Sequence, residues 1–183
     1  MKLSFLSLPL FLTLGLAQPE NSLFVRQTAN STECSSPQPN DCSFYAECVE
    51  ARYHCGSTGY PLDYGQKYCQ KSLDNASLLS TAGQAWVTKV MLCLQEHLAP
   101  YDQGGNQTFA DCTALSDYAF STHPTCYVQG GLCTLPVTDW ETIVFKIVGV
   151  NTLFDSWDAI KATVEAAAGC GEFYLWAIAH GVF

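Results

Sequence analysis

Ten cysteines, four histidines and 17 acidic residues are the groups of this 183-residue chain whose chemistry goes beyond packing. The cysteines are Cys34, Cys42, Cys48, Cys55, Cys69, Cys93, Cys112, Cys126, Cys133 and Cys170. Cysteines in this number ligate a metal or oxidise in pairs. Zinc needs four ligands gathered by short local spacings, but no CxxC pair occurs, and His54, His97, His123 and His180 show no ligand spacing with each other. An even count in a short chain therefore points to five disulfides and an oxidising compartment. Spacing alone leaves the connectivity open among on the order of a thousand pairings. Two acid pairs, Glu47 with Glu50 and Asp155 with Asp158, lie three residues apart and would offer the acid and base of glycoside cleavage. The same spacing describes a solvated helix face or an N-terminal dipole partner, and that is how we read it. No Gly-x-Ser-x-Gly, His-Glu-x-x-His, phosphate-binding loop or Asp-x-Asp-x-Asp-Gly calcium loop occurs. The sequence thus nominates no catalytic residue, no metal ligand and no cofactor.

The elements that must position these cysteines read as helices. Phe44, Tyr45, Cys48, Val49, Arg52 and Tyr53 recur at three- and four-residue steps behind Asn40 or Asp41 as N-cap, predicting a helix that ends near Gly56. Leu62, Gln66, Cys69 and Leu73 share a face after Pro61 and predict a second helix over 60–73, with Gly65 weakening it. Thr81-Ala-Gly-Gln84 has the form of a capping box, and Trp86, Val87, Val90, Met91, Leu94 and Leu98 continue it until Pro100 is expected to stop it. Phe109 to Ser121 is expected to form a helix that Pro124 interrupts, leaving His123 at a turn and Cys126-Tyr127 in a short turn closed by Gly130-Gly131. A second capping box, Thr138-Asp-Trp-Glu141, opens a helix striped with Trp140, Ile143, Val144, Ile147 and Val148, and Asp155 starts another that ends at Gly169. Nothing resembles a hairpin series. The fold class expected is all-α: a compact, disulfide-stabilised bundle of about six to seven helices in a single domain.

Residues 1–17 read as a signal peptide, with Lys2, an apolar run from Leu3 to Leu16 broken by Pro9, and a cleavage-like Gly15-x-Ala17 before Gln18. Residues 18–40 are rich in Pro, Asn and Ser and read as a flexible N-terminal arm tethered at Cys34; residues 41–183 form the disulfide-rich helical domain. Sequons at Asn30, Asn75 and Asn106 downstream of a leader predict a surface glycan. Hydrophobic residues make up 48% and charged residues 14%, which argues against disorder, and a formal charge of −9 argues against nucleic acid. The final segment carries Phe173, Tyr174, Leu175, Trp176 and Ile178 without a Lys or Arg, so it folds into the core, covers a dimer face or binds a partner.

The segments Cys42-Ser-Phe-Tyr-Ala-Glu-Cys48-Val-Glu, Ala82-Gly-Gln-Ala-Trp-Val87 followed by Leu92-Cys93-Leu94, and Cys126-Tyr127 with Cys133 resemble the stanniocalcins, secreted glycoprotein hormones. The resemblance runs from Cys34 to Cys170, with all ten cysteines in the family's order and the intervals Cys69–Cys93, Cys112–Cys126 and Cys126–Cys133 alike. It implies the bonds Cys34 to Cys48, Cys42 to Cys69, Cys55 to Cys112, Cys93 to Cys126 and Cys133 to Cys170. This chain has no cysteine after Cys170, where the vertebrate hormones carry the one that joins two chains, and its sequons lie elsewhere. It looks like a compact, distant relative of the fungal type, for which a covalent homodimer is not implied and a non-covalent one stays open.

A weaker likeness, of His123-Pro-Thr-Cys126-Tyr127 to the His-Asp-x-Cys-Tyr segment of secreted phospholipases A2, lacks the calcium-binding carboxylate and a Gly-rich calcium loop. The function expected is that of a secreted, non-enzymatic glycoprotein, a hormone-like factor that binds an unknown extracellular protein and that the resemblance links to calcium and phosphate homeostasis. No nucleic-acid partner and no stable membrane insertion are expected. The alternatives are a secreted microbial effector on the same cysteine scaffold and a small secreted hydrolase.

Overall fold

The computed structural model describes residues 34–103, 106–149, 165 and 168–182. The leader, the arm as far as residue 33, Asn30, and the helix expected from Asp155 with Asp158 lie outside the described residues. Among these residues the protein is all helical, with no strand. Six helices carry the fold. α1 is a π-helical Tyr45–Glu50 continued by an α-turn over Ala51–Tyr53, and α2 is a π-helical Tyr60–Gln66 running into an α-helix over Lys67–Asp74. α3 spans Thr81–Asp102 and α4 spans Cys112–Gly130. α5 starts as an α-helix over Val137–Glu141 and widens into a π-helix over Thr142–Val148, and α6 spans Gly171–Ala179.

α3 and α4 form the most extensively packed pair, with α1 against α2 next. Leu98, Leu115, Ala119 and Val49, all at most 2% exposed, lie at the centre of one continuous core. Removing such apolar surface from water is the main force for assembly. The final segment divides. Phe173, Trp176, Ala177 and Val182 enter the core, where Trp140 meets Phe173 edge-on at 5.4 Å, while Tyr174, Leu175 and Ile178 face outward.

Both prolines expected to break helices sit inside them. α3 continues past Pro100 to Asp102 because side chains of α1 occupy its terminal carbonyls: the Tyr53 hydroxyl donates to Tyr101 O at 2.8 Å and Arg52 to Asp102 O at 3.1 Å. α4 continues past Pro124 because Ser121, Thr122 and His123 donate side-chain hydrogens to the carbonyls of Tyr118 and Ala119 one turn back. A proline removes one amide donor, and here other donors crowd the same turn.

The two capping boxes are also corrected. Ser80, not Thr81, caps α3, its Oγ accepting from Gly83 N at 3.1 Å, while Gln84 donates to Leu79 O. Thr138 lies within the first turn of α5, and the residue beside it, Asp139, turns inward. Its carboxylate, 1% exposed, accepts from Ser80 N at 2.9 Å and from Ser80 Oγ at 2.6 Å. The amide of the true cap, Ser80, is thus taken by a side chain 59 positions away. At the other end of the chain Asn40 is left-handed, with φ 62°, and Asp41 accepts from Ser43 N to start the first helix. α4 begins three residues later than expected, at Cys112, because Asp111 caps it by accepting from Ala114 N.

Candidate functional site

All ten cysteines are paired: Cys34 with Cys48, Cys42 with Cys69, Cys55 with Cys112, Cys93 with Cys126 and Cys133 with Cys170. Their Cα separations run from 5.0 to 5.8 Å, the ordinary range for a bridge. Cys93, His97 and Cys126 draw three ligand-type atoms together, as do Cys34, Cys48 and Asp102. The sulfurs of both groups are bonded to each other, so neither offers the thiolates a metal would need.

The candidate acid pair of α1 separates in the same way. Glu47 is exposed, whereas Glu50 bends back to accept from Cys55 N at 3.1 Å and Gly56 N at 2.8 Å. It closes the loop that follows the left-handed His54, φ 52°. Its carboxylate holds backbone and is not presented to a substrate. Of the sequons, Asn106 is exposed in the loop between α3 and α4, while Asn75 is half-buried with its Nδ2 donating to Lys71 O at 2.8 Å.

The feature that sequence reasoning missed is a cavity of about 90 Å³ enclosed by residues of all six helices. Its lining includes Tyr45 of α1, Tyr60 and Tyr64 of α2, His123 and Tyr127 of α4, and the branched residues Val90, Val144 and Ile147. All three π-helical stretches of the described residues contribute to this wall. π-helix makes up well under 1% of residues in globular proteins and gathers at functional sites, so its convergence on one void marks that void. Gly65 allows α2 to approach: a Cβ there would sit 2.4 Å from the Tyr45 ring. The π-turns also rotate α2 from the face expected. Tyr60, Pro61, Gly65 and Cys69 are its buried residues, while Leu62, Gln66 and Leu73 are only half-buried.

His123 lies 2% exposed among the rings of Tyr60, Tyr64, Phe120 and Tyr127, inside a helix instead of at a turn. Its Nδ1 lies 2.8 Å from Ala119 O, and because a carbonyl only accepts, that nitrogen carries the hydrogen. Burial pushes the imidazole down to about 4, against the opposing pull of hydrogen bonds to the Ala119 and Phe120 carbonyls. The ring is neutral at pH 7, and Nε2 is an acceptor. Burial likewise raises the hydroxyls of Tyr45, Tyr60, Tyr64 and Tyr127, so all four stay protonated.

The depressed imidazole sets a pH dependence with a definite sign. The folded chain resists protonation that the unfolded chain accepts near 6.5, so the stabilisation is complete above that pH and is lost as pH falls towards 4. The loss amounts to about 3 kcal/mol. Asp102, which burial raises to about 6 against the lowering pull of Arg52, acts in the opposite direction over the same range. The check is therefore a comparison: urea midpoints of wild type and His123→Gln at pH 7 and pH 4, with the variant expected to lose less on acidification. Equal losses would contradict it.

Comparison with protein-family models, with curated proteins and with solved structures finds no match. No helix among the described residues is long and apolar enough to cross a membrane. Five disulfides in an all-helical chain with no such span are compatible with an extracellular protein.

Proposed function

We propose that this chain is a secreted glycoprotein of the stanniocalcin type that acts by binding an extracellular protein and not by catalysis. The observation that carries the reading is the cross-linking: the five pairs in the structure are the five that the resemblance implies, out of on the order of a thousand alternatives. The outward residues of α6 support a binding role, with Leu175 67% and Ile178 48% exposed on a helix whose other face is anchored in the core. Large apolar side chains exposed together favour protein contacts. The link to calcium and phosphate balance belongs to the same proposal and rests on the resemblance alone.

Expression of the full chain with a C-terminal tag tests the reading. The product is expected in the medium, starting at Gln18 and carrying a glycan at Asn106. Surface cross-linking is expected to recover one defined extracellular protein, and Leu175→Glu with Ile178→Glu to abolish its recovery. Retention of the chain inside the cell, or turnover of a lipid or glycan panel with no partner recovered, overturns the proposal.

A further inference from the structure

We propose that the cavity walled by the three π-helical stretches is a binding site for a small, uncharged, mostly apolar molecule that carries one hydroxyl or carbonyl oxygen. The site is independent of the reading above, and its failure would leave that reading standing.

Tyr45, Tyr60, Tyr64 and Tyr127 lie within electrostatic reach of one another, yet among the described residues none of their hydroxyls makes a hydrogen bond to protein. Tyr45 and Tyr60 are 2% and 7% exposed. Fully enclosed polar atoms are normally paired; among the described residues those left without a partner are Gln95 Oε1, Asp102 Oδ1 and Trp176 Nε1, so the unbonded tyrosine hydroxyls retain an accessible side. His123 adds an acceptor: its Nδ1 is held by Ala119 O, and among the described residues Nε2 has no hydrogen-bond partner. Unbonded donors and an acceptor therefore belong to residues that line the void.

Among the described residues no Lys, Arg, Asp or Glu lines the cavity. A carboxylate, phosphate or ammonium would lose its hydration without gaining a counter-ion, which is prohibitive in an apolar wall. The occupant is neutral. A hydroxyl could donate to His123 Nε2 while accepting from a tyrosine, and a carbonyl could accept from two tyrosines, with the apolar body against Val90, Val144 and Ile147.

A volume of about 90 Å³ is well above what a single water needs and leaves room for a body of a few carbons. The wall is held open by covalent structure, since Cys69 lines it and is bonded to Cys42, and by Gly65 lying against the Tyr45 ring. A preformed site loses little ordering free energy on binding.

The test uses the intact disulfide-bonded chain with methyl-labelled Val and Ile, titrated at pH 7 with n-butanol and, separately, with butyrate as its charged counterpart. Butanol is expected to give saturable shifts of the Val90, Val144 and Ile147 methyls with intermolecular contacts to the same groups, and butyrate none. Tyr60→Phe and Tyr127→Phe keep the ring and remove the hydroxyl, so each folds as wild type and is expected to weaken butanol by about fivefold. Unmoved methyls, contacts to water alone, equal responses to butanol and butyrate, or Tyr→Phe variants that bind as wild type would each overturn the proposal.

Discussion

Replacing Cys55 and Cys112 together by serine is expected to lower folding stability by about 4 kcal/mol. The estimate follows from the 57 residues that separate them, the longest interval closed by any bridge in the chain. Opening a loop returns entropy to the unfolded chain roughly as the logarithm of its length. Position strengthens the expectation. Cys34, Cys42, Cys48 and Cys69 bond only among themselves, and Cys93 bonds to Cys126, so Cys55–Cys112 is the one disulfide between the α1–α2 unit and the α3–α4 pair. Around it the Glu50 carboxylate fixes the Cys55 amide, and Asp111 caps the helix that Cys112 begins. The comparison is the Cys34/Cys48 double serine variant, whose 14-residue interval gives about 3 kcal/mol on the same reasoning. Urea unfolding of both variants under non-reducing conditions measures the order. A Cys34/Cys48 loss equal to or larger than that of Cys55/Cys112 would show that the unit boundary lies elsewhere.

Asp139→Ala is expected to lose about 3 kcal/mol, because two hydrogen bonds from Ser80 to one buried carboxylate are lost at once. The carboxylate holds both the amide and the hydroxyl of Ser80, and that hydroxyl in turn caps α3 by accepting from Gly83 N. Without Asp139, Ser80 N has no acceptor and the cap loses its orientation. In a domain of this size the loss lowers Tm by roughly 6 to 12 °C. Ser80→Ala removes only part of the arrangement, so the double variant should lose less than the sum of the singles, the mark of residues acting as one unit. Gly83→Ala tests the same contact from the other side, since the new Cβ would lie 2.5 Å from Asp139 Oδ2. An additive double variant, or an Asp139→Ala protein that melts with wild type, would sink the account.

Asp139 also marks where the sequence stops being legible. The helical class, the element order and the inward faces of α1 and α3 follow from apolar spacing, because Phe44, Tyr45, Cys48 and Val49, or Trp86, Val87, Val90 and Met91, repeat at the helical period and are buried. What local rules misplaced was decided by distant partners. Pro100 reads as a stop until Arg52 and Tyr53, some 50 positions earlier, are seen to hold the carbonyls beyond it. Thr138 reads as a cap until its neighbour is found bonded to Ser80.

The cavity was illegible for a related reason. Its tyrosines come from α1, α2 and α4, and the π-turns that aim them inward carry no composition signal distinct from an α-helix. The spacing Tyr60, Tyr64, Tyr68 around Gly65 was the available clue: three hydroxyl-bearing rings at helical intervals beside a residue without a side chain. Aromatic content by itself is equally well explained by packing.

The order in which the cysteines join also decides how the chain tolerates being cut. Between Cys34 and Cys170 almost every peptide bond is spanned by at least one sulfur bridge, so a protease that severed it would leave the fragments tied together. The exception is the stretch from Cys126 to Cys133, which no bridge crosses. It holds Gly130 and Gly131, the latter at φ 110°, where α4 ends. A single cleavage at that seam would leave Cys133–Cys170 and the C-terminal helix joined to the rest of the body by packing alone, whereas a nick elsewhere within the bridged span leaves the molecule covalently whole.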